Sequence, residues 1–371
     1  MAAIRYRTLV FGASYGSLLA AKLVLAGHDA TLVCLPSEAD LINREGARVR
    51  IPVKGRDAPI EIDSRAGPGK LSAALTSEVD PSEYDLVALA MQEPQYGSPG
   101  VRELLDAVAR RRVPCMSIMN MPPLPYLHRI PGVAAEGLEH CYSDASVWRN
   151  FDPALLTLCS PDPQAFRPPE EKVNVLQVSL PTNFKAARFA SEEHTAILRR
   201  MQADIEATRF ALPGGGKIEL PVKLKVHDSI FVPLAKWSML LAGNYRCVQR
   251  DSMRSIRDAV HSDLETSRAV YNWVATLCKS LGATAEDLVP FEKYAAAARG
   301  LAKPASAARA LAGGAIAIER VDFLVQSLAA RKGMRSPVVD ETVSLVDSWL
   351  ARNREANAKA HATSFRNVKG V

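Results

Sequence analysis

The sequence predicts an α/β protein, with an N-terminal domain built on a parallel sheet and a C-terminal domain that is mainly α-helical. Short apolar runs alternate with helix-period segments over residues 1 to about 150, as strands and helices do in such a sheet domain. Helix-period spacing of apolar residues dominates from residue 192 onwards. The chain has 371 residues, more than one hydrophobic core normally holds, so two domains are expected.

The start of the chain has the pattern of a strand, a tight turn, a helix and a second strand. An apolar run reaches Gly12, helix-period spacing follows from Gly16, and the pattern stops at Gly27 before a second apolar run. Such a turn brings backbone N–H groups and the positive end of a helix to a pyrophosphate, which predicts a Rossmann-like dinucleotide-binding domain. Ser14 stands in place of a second glycine, and a strand-to-helix turn without a ligand is the alternative interpretation. The candidate cofactor-binding residues are Gly12, Ala13, Ser14, Tyr15, Gly16 and Ser17.

The end of the second strand bears on which nicotinamide cofactor binds. An NAD enzyme usually carries Asp or Glu there to accept from the ribose hydroxyls, whereas residues 34–37 read Cys-Leu-Pro-Ser. Glu38 and Asp40 follow closely. The sequence favours NADP(H) over NAD(H), although a solvated helix face is an alternative interpretation of the basic residues. The residues that could meet a 2′-phosphate are Ser37, Arg44, Arg48 and Arg50.

Composition and charge exclude several classes of protein. The chain is 48% hydrophobic and 23% charged, which is ordinary for a soluble globular protein. Its net charge of +6 suits an anionic ligand. Because the basic residues are spread along the chain, the charge does not indicate nucleic-acid binding. The six cysteines and seven histidines show no metal-ligand spacing, no secretory leader precedes the first strand, and no apolar run approaches a membrane span. We expect a cytoplasmic protein with free thiols, no metal and no membrane contact.

The periodicity also gives the domain limits. We expect a Rossmann-like domain over residues 1–185, a helical substrate and dimerisation domain over 186–356, and a flexible tail over 357–371. In the first domain, strands are predicted at 85–90, 115–119 and 173–180, with a helix at 98–111. In the second, helices are predicted at 192–208, 230–247, 251–282, 305–332 and 337–356.

Four polar residues are candidates for catalysis or substrate binding because of their positions in the predicted elements. Asn120 directly follows the strand at 115–119, at the edge of a parallel sheet where ligands bind, although it could also satisfy its own turn. Lys236 and Asn244 lie eight residues apart, on one face of a predicted helix; a snorkelling lysine is the alternative. Glu319 interrupts an apolar helical stretch, which is costly unless it is paired or faces a site.

Together these residues resemble the ketopantoate reductase family. The resemblance rests on Ile118-Met-Asn120, the Lys236 to Asn244 spacing, and Pro304-Ala-Ser306 followed by residues 315–322 and 333–337. It implies an NADPH-dependent 2-dehydropantoate 2-reductase of pantothenate biosynthesis, with a C-terminal domain like that of 6-phosphogluconate dehydrogenase and a homodimeric assembly. By the same resemblance Lys236 is the general acid, Asn120 positions cofactor and substrate, Asn244 and Ser306 bind the keto acid, and Glu319 orients the hydroxyl or the lysine.

Departures from the family pattern leave other functions open. An opine-type dehydrogenase, which joins an amino acid to a keto acid, would use a His-Asp pair such as His227-Asp228. A nucleotide-binding sensor that has lost catalysis would explain the substitutions at Met91, Met121 and Leu240. A further departure is Leu35, which stands in place of the family's arginine for a 2′-phosphate.

Overall fold

The computed structural model describes residues 4–212 and 214–368, with side chains described up to residue 360. The chain forms two compact units. The sheet unit comprises the chain up to Ile130 together with Ala145–Pro233, and the helical unit comprises Pro131–Asp144 together with the chain from Leu234. No helix within the described residues is both long enough and apolar enough to cross a membrane.

The described residues of the sheet unit form three sheets. Its strands are β1 (Arg7–Phe11), β2 (Asp29–Val33), β3 (Arg48–Ile51), β4 (Ile60–Asp63), β5 (Leu71–Ala74), β6 (Leu86–Leu89), β7 (Cys115–Ile118), β8 (Leu156–Ser160), β9 (Gln164–Phe166), β10 (Val175–Leu180), β11 (Phe184–Ala187), β12 (Phe210–Ala211), β13 (Lys217–Ile218) and β14 (Leu224–His227). The main sheet has the order β14-β11-β8-β7-β6-β1-β2-β5 and is parallel except between β11 and β8. A second sheet has the order β4-β3-β10-β9, and β12 pairs with β13.

The strand order creates a topological switch point beside β1. The chain passes from β1 to β2 on one side and later returns to β6 on the other. Phe11 is in register with Val33 of β2 and with Leu89 of β6, so the three strands end at the same level. In open α/β sheets a ligand crevice opens at such a point, outside the carboxyl ends of the strands.

Both units contain helices. Those of the sheet unit are α1 (Gly16–Leu25), α2 (Pro36–Glu45), α3 (Val101–Arg111), α4 (Leu124–Leu127) and α5 (Glu192–Ala207). Those of the helical unit are α6 (Ala235–Met239), α7 (Ile256–His261), α8 (Leu264–Ser280), α9 (Phe291–Ala298), α10 (Ser306–Ala312), α11 (Val321–Arg331) and α12 (Pro337–Val368). A parallel α/β sheet followed by a helical C-terminal region confirms the predicted fold class.

Helix α1 is buried on all sides because it lies between two sheets. Every residue from Gly16 to Val24 is buried, and Leu18 and Leu23 share one apolar core with Val49 of β3 and Leu176 of β10. A helix enclosed in this way is apolar all round rather than amphipathic. The second sheet thus covers the outer face of the helix that begins at the glycine turn.

The units divide at a different point from the expected limit at residue 185. Residues 186–233 lie in the sheet unit because β11 and β14 extend the main sheet, with α5 as the crossover between these parallel strands. The periodicity identified α5 as a helix but carried no information about which core it packs against. Residues 357–368, expected as a flexible tail, are part of α12, and residues 369–371 lie outside the described residues.

Two of the predicted helices are each divided. The segment 251–282 forms α7 and α8, because the Asp263 side chain accepts from Thr266 N–H at 2.9 Å and starts a new helix there. The segment 305–332 forms α10 and α11, and Gly313-Gly314 ends the first of them. Residues 315–320 are therefore a loop rather than part of a helix.

Candidate functional site

The turn after β1 needs both of its glycines. Gly12 has φ +94°, and a Cβ there would lie 2.9 Å from Met91 Cγ. A Cβ on Gly16 would lie 2.6 Å from Cγ1 of Val10, so only glycine lets α1 start directly against β1. The N–H groups of Ser17 and Leu18 donate to the Ser14 and Tyr15 carbonyls at 3.3 and 3.1 Å, and the positive end of the α1 dipole lies at the switch point. This arrangement fits a dinucleotide pyrophosphate.

The other residues predicted at the turn differ in what their side chains can do. Ser14 is exposed, whereas Ser17 is buried and its Oγ donates to the Ser14 carbonyl at 2.9 Å. The Tyr15 hydroxyl donates to the Pro163 carbonyl at 2.7 Å, and its ring packs edge-on against Phe184. Ser17 and Tyr15 therefore hold the turn in shape through their side chains.

The carboxyl end of β2 carries an ion pair that the sequence did not predict. Leu35 is 68% exposed and caps α2, and Ser37 is exposed in the first turn of that helix. Next to it, Glu38 accepts a hydrogen bond from Nη1 of Arg167. Arg167 lies 129 residues later in the chain, so no local spacing could have placed it here.

The arginines proposed for a 2′-phosphate have other partners. Arg48 and Arg50, on β3, pair with Glu61 at 3.2 and 2.8 Å. Arg50 also contacts Glu171 at 2.6 Å, and Arg44 is exposed with Glu45 3.4 Å away. The geometry places these charges in surface ion pairs of α2 and the second sheet.

Asn120 lies where the strand pattern predicted it. It follows β7, the strand beyond β6, and is partly exposed, while Met121 is fully buried. After β6, Met91 donates its N–H to the hydroxyl of the buried Tyr96 at 3.1 Å. The carboxyl ends of β1, β6 and β7 thus bring the glycine turn, Met91 and Asn120 to one edge of the sheet.

In the helical unit, Lys236 and Asn244 lie on one almost wholly buried helical stretch. Within residues 235–248, three residues are partly exposed and the others are buried. The three are Lys236, Met239 and Asn244. The stretch is not α-helical throughout: residues 240–244 form a π turn, closed by a bond from the N–H of residue 245 to the Leu240 carbonyl.

The π turn affects how those two side chains align. At about 100° per residue, eight α-helical residues overshoot two full turns by about 80°. A π turn spans five residues per hydrogen bond instead of four and so rotates less per residue. The overshoot between Lys236 and Asn244 is thereby reduced, and π turns occur frequently at functional sites.

Glu319 and Ser306 lie outside the helix interiors. Glu319, expected within a helix, lies in the loop before α11 because Gly313-Gly314 ends α10; its side chain is 7% exposed. The Tyr245 hydroxyl hydrogen-bonds to the Glu319 carbonyl and accepts the N–H of Val321 at 3.1 Å. Glu319 is thus tied to the residue that follows Asn244. Ser306 is the exposed first residue of α10.

The aspartate proposed for the opine-type alternative has an arginine partner. Asp228 is exposed and its carboxylate pairs with Arg199 of α5. His227 ends β14 in a partly exposed position. A catalytic carboxylate orients its histidine by a hydrogen bond, whereas this one is directed to an arginine.

Solved structures with the same fold are numerous. The 2-dehydropantoate 2-reductase from Methylococcus capsulatus is similar, with a TM-score of 0.63 and 16% identity over 94% of this chain and 97% of that one. D-mandelate dehydrogenase in a ternary structure with NADH and anilino(oxo)acetate has a TM-score of 0.61 and 13% identity, over 94% of this chain and 99% of that one. A dimeric ketopantoate reductase from Staphylococcus aureus has a TM-score of 0.55 and 10% identity, over 94% of this chain and 99% of that one.

No protein-family model matches this sequence, and no curated protein sequence matches it. The likeness therefore lies in the fold, over nearly the whole length of both chains, at identities between 10 and 16%.

Proposed function

We propose that this protein is an NAD(P)H-dependent reductase that converts a 2-keto acid similar to ketopantoate into the 2-hydroxy acid. The observation that carries the proposal is the glycine turn at the switch point, where neither Gly12 nor Gly16 has room for a side chain. Its fold is shared with ketopantoate reductases and with a D-mandelate dehydrogenase bound to NADH, which supports the same reaction class.

The proposed chemistry assigns a proton donor and a set of positioning groups. A reduced nicotinamide, when bound at the glycine turn, would supply the hydride that the carbonyl carbon accepts. Negative charge then develops on the keto oxygen, and the Lys236 ammonium donates a proton to it as the general acid. Asn120 positions the reacting groups, and Glu319 orients the lysine or the new hydroxyl.

Substrate recognition and assembly complete the proposal. Asn244 and Ser306 would bind the keto acid, with Ser306 at its carboxylate. We propose a cytoplasmic homodimer, as the S. aureus ketopantoate reductase is described as dimeric. Participation in pantothenate biosynthesis follows only if ketopantoate itself is the substrate.

The test is oxidation of NADH and NADPH with ketopantoate and a panel of other 2-keto acids, with and without amino acids. Lys236→Ala should lower turnover by a factor of about 100 or more and leave cofactor affinity unchanged, because general acids contribute about 10²–10⁴ in rate. Lys279→Ala, an exposed helix lysine of the same unit, is the matched control. Near-normal turnover of Lys236→Ala would refute the proposed acid.

The nucleotide-binding sensor remains a second candidate because of three apolar side chains. Met91, Met121 and Leu240 stand where the family pattern has other residues, and Met121 and Leu240 are buried. Cofactor binding without turnover of any keto acid in the panel would favour this candidate over the reductase. A dependence of turnover on added amino acid would favour the opine-type reaction.

A further inference from the structure

The Glu38–Arg167 ion pair occupies the carboxyl end of β2. Glu38 lies in the first turn of α2, five residues after β2 ends at Val33, and Arg167 directly follows β9. Their side chains are 17% and 24% exposed, so the pair is largely sheltered from solvent yet reachable. When a pyrophosphate is bound at the glycine turn, the adenosine ribose of a dinucleotide lies beside the end of this strand.

Two contacts hold the segment 163–167 across this edge of the sheet. The Pro163 carbonyl accepts the Tyr15 hydroxyl at 2.7 Å, at the start of α1, and Arg167 reaches Glu38 at the start of α2. The thiol of Cys34, between β2 and α2, lies near both charges. Burial and the Glu38 carboxylate raise the pKa of Cys34 to about 12, and Arg167 acts in the opposite direction.

The charge at this point is the feature that discriminates between cofactors. The carboxylate of Glu38 already offsets the positive charge of Arg167. A 2′-phosphate, carrying about −1.5 to −2 near neutral pH, would therefore meet a carboxylate at close range with no net positive charge to offset it. A ribose diol carries no charge, and its hydroxyls can donate to that carboxylate.

The neighbouring cations do not alter this balance. Arg48 and Arg50 are paired with Glu61, and the exposed side chain at position 35 is a leucine. Nη2 of Arg167 is buried without a hydrogen-bond partner among the described residues. That donor suits a ribose oxygen as well as a phosphate oxygen, so the carboxylate decides between the two ligands.

We propose that Glu38 accepts hydrogen bonds from the adenosine ribose hydroxyls, that Arg167 positions it, and that the protein consequently prefers NADH to NADPH. This inference rests on the proposed cofactor-dependent function and runs against the preference for NADP(H) that the residues 34–37 indicated. Glu38 is the specificity-determining residue, and Arg167 acts through it.

The test measures dissociation constants of NADH and NADPH for the full chain by calorimetry at fixed ionic strength. The wild type should bind NADH about tenfold or more tightly than NADPH, since a hydrogen bond to a charged group contributes a factor of that order. Glu38→Gln should shift the ratio of the two constants towards NADPH by about tenfold. Glu45→Gln is the matched control, because Glu45 is an ion-paired residue at the other end of α2.

The positioning role of Arg167 is tested by comparing a substitution that removes its charge with one that keeps it. Arg167→Gln should weaken NADH binding several-fold, and Arg167→Lys should restore most of it, which a purely structural role would not require. NADPH binding equal to or tighter than NADH in the wild type, or an unchanged ratio in Glu38→Gln, would overturn the inference. Absence of binding by either cofactor would overturn the proposed function itself.

Discussion

Replacing the buried lysine of α1 should change the stability of the protein by an amount that depends on pH. Lys22 is 5% exposed, within the helix that begins at the glycine turn, and donates to the Pro221 carbonyl at 3.0 Å. Burial, with a smaller contribution from Lys223, lowers its pKa from the ordinary 10.5 to about 8, and Glu219 partly opposes this. The folded protein therefore holds this proton less firmly than the unfolded chain does.

The magnitude follows from the difference between the two pKa values. A difference of about 2.5 units corresponds to about 3 kcal/mol, at about 1.36 kcal/mol per unit. Below pH 8 both states carry the proton and the whole penalty is present. Between pH 8 and 10.5 the folded protein releases the proton while the unfolded chain retains it, so the stability contribution rises with pH.

The perturbation is Lys22→Met, and the assay is urea unfolding followed by circular dichroism between pH 7 and 10.5. At pH 7 the variant escapes the charge penalty but leaves the Pro221 carbonyl without its donor, which costs about 1–3 kcal/mol. The net change there is small. The informative quantity is the free energy of unfolding of the wild type minus that of the variant, which should rise by about 3 kcal/mol between pH 7 and 10.5.

An exposed lysine supplies the control for that experiment. Lys54→Met lies in an exposed turn of the sheet unit, so its difference from the wild type should stay constant over the same range. A difference between wild type and Lys22→Met that is also constant would refute the reasoning, because it would mean that the lysine remains charged in the folded protein up to pH 10.5.

Two further predictions concern the same region. Gly16→Ala should cost about 1–3 kcal/mol of stability and abolish cofactor binding, since its Cβ would lie 2.6 Å from Val10 Cγ1; calorimetry showing wild-type affinity would contradict the proposed role of the turn. Burial lowers the pKa of His28 below 6.5, although Asp204 lies 3.3 Å away. The unfolded chain therefore binds a proton first as the pH falls below 6.5, and stability is lost there. His28→Gln should lose less stability than the wild type between pH 7 and 5, and parallel losses would count against the assignment.

The sequence predicted what is encoded locally. The run from β1 through Gly12 and Gly16 into α1 lies within about twenty residues, and its glycines are required by contacts that each Cβ would make. Asn120 was predicted from its place after an apolar strand, because the register of parallel strands brings their carboxyl ends to one edge. Both predictions rest on short-range patterns with a direct geometric meaning.

The features that the sequence did not predict depend on contacts between distant segments of the chain. Strands β3, β4 and β9 have only three or four residues each, too few to show a period, and their pairing with β10 appears only in three dimensions. Arg167 is likewise joined to Glu38 across 129 residues. The division of the units at residue 233 followed the sheet that β14 completes, whereas composition changed earlier along the chain.

The second sheet connects these long-range features to the edge of the main sheet where β1 and β2 end. It buries α1, which begins at the glycine turn, and its edge strand β9 leads directly into Arg167. The Tyr15 hydroxyl holds the carbonyl of Pro163 immediately before that strand. The position of the Glu38 carboxylate at the end of β2 thus depends on a sheet whose strands contribute no residue to the glycine turn. Changes in the packing of β9 should therefore alter the ratio of NADH to NADPH affinity before they alter the affinity for the shared pyrophosphate.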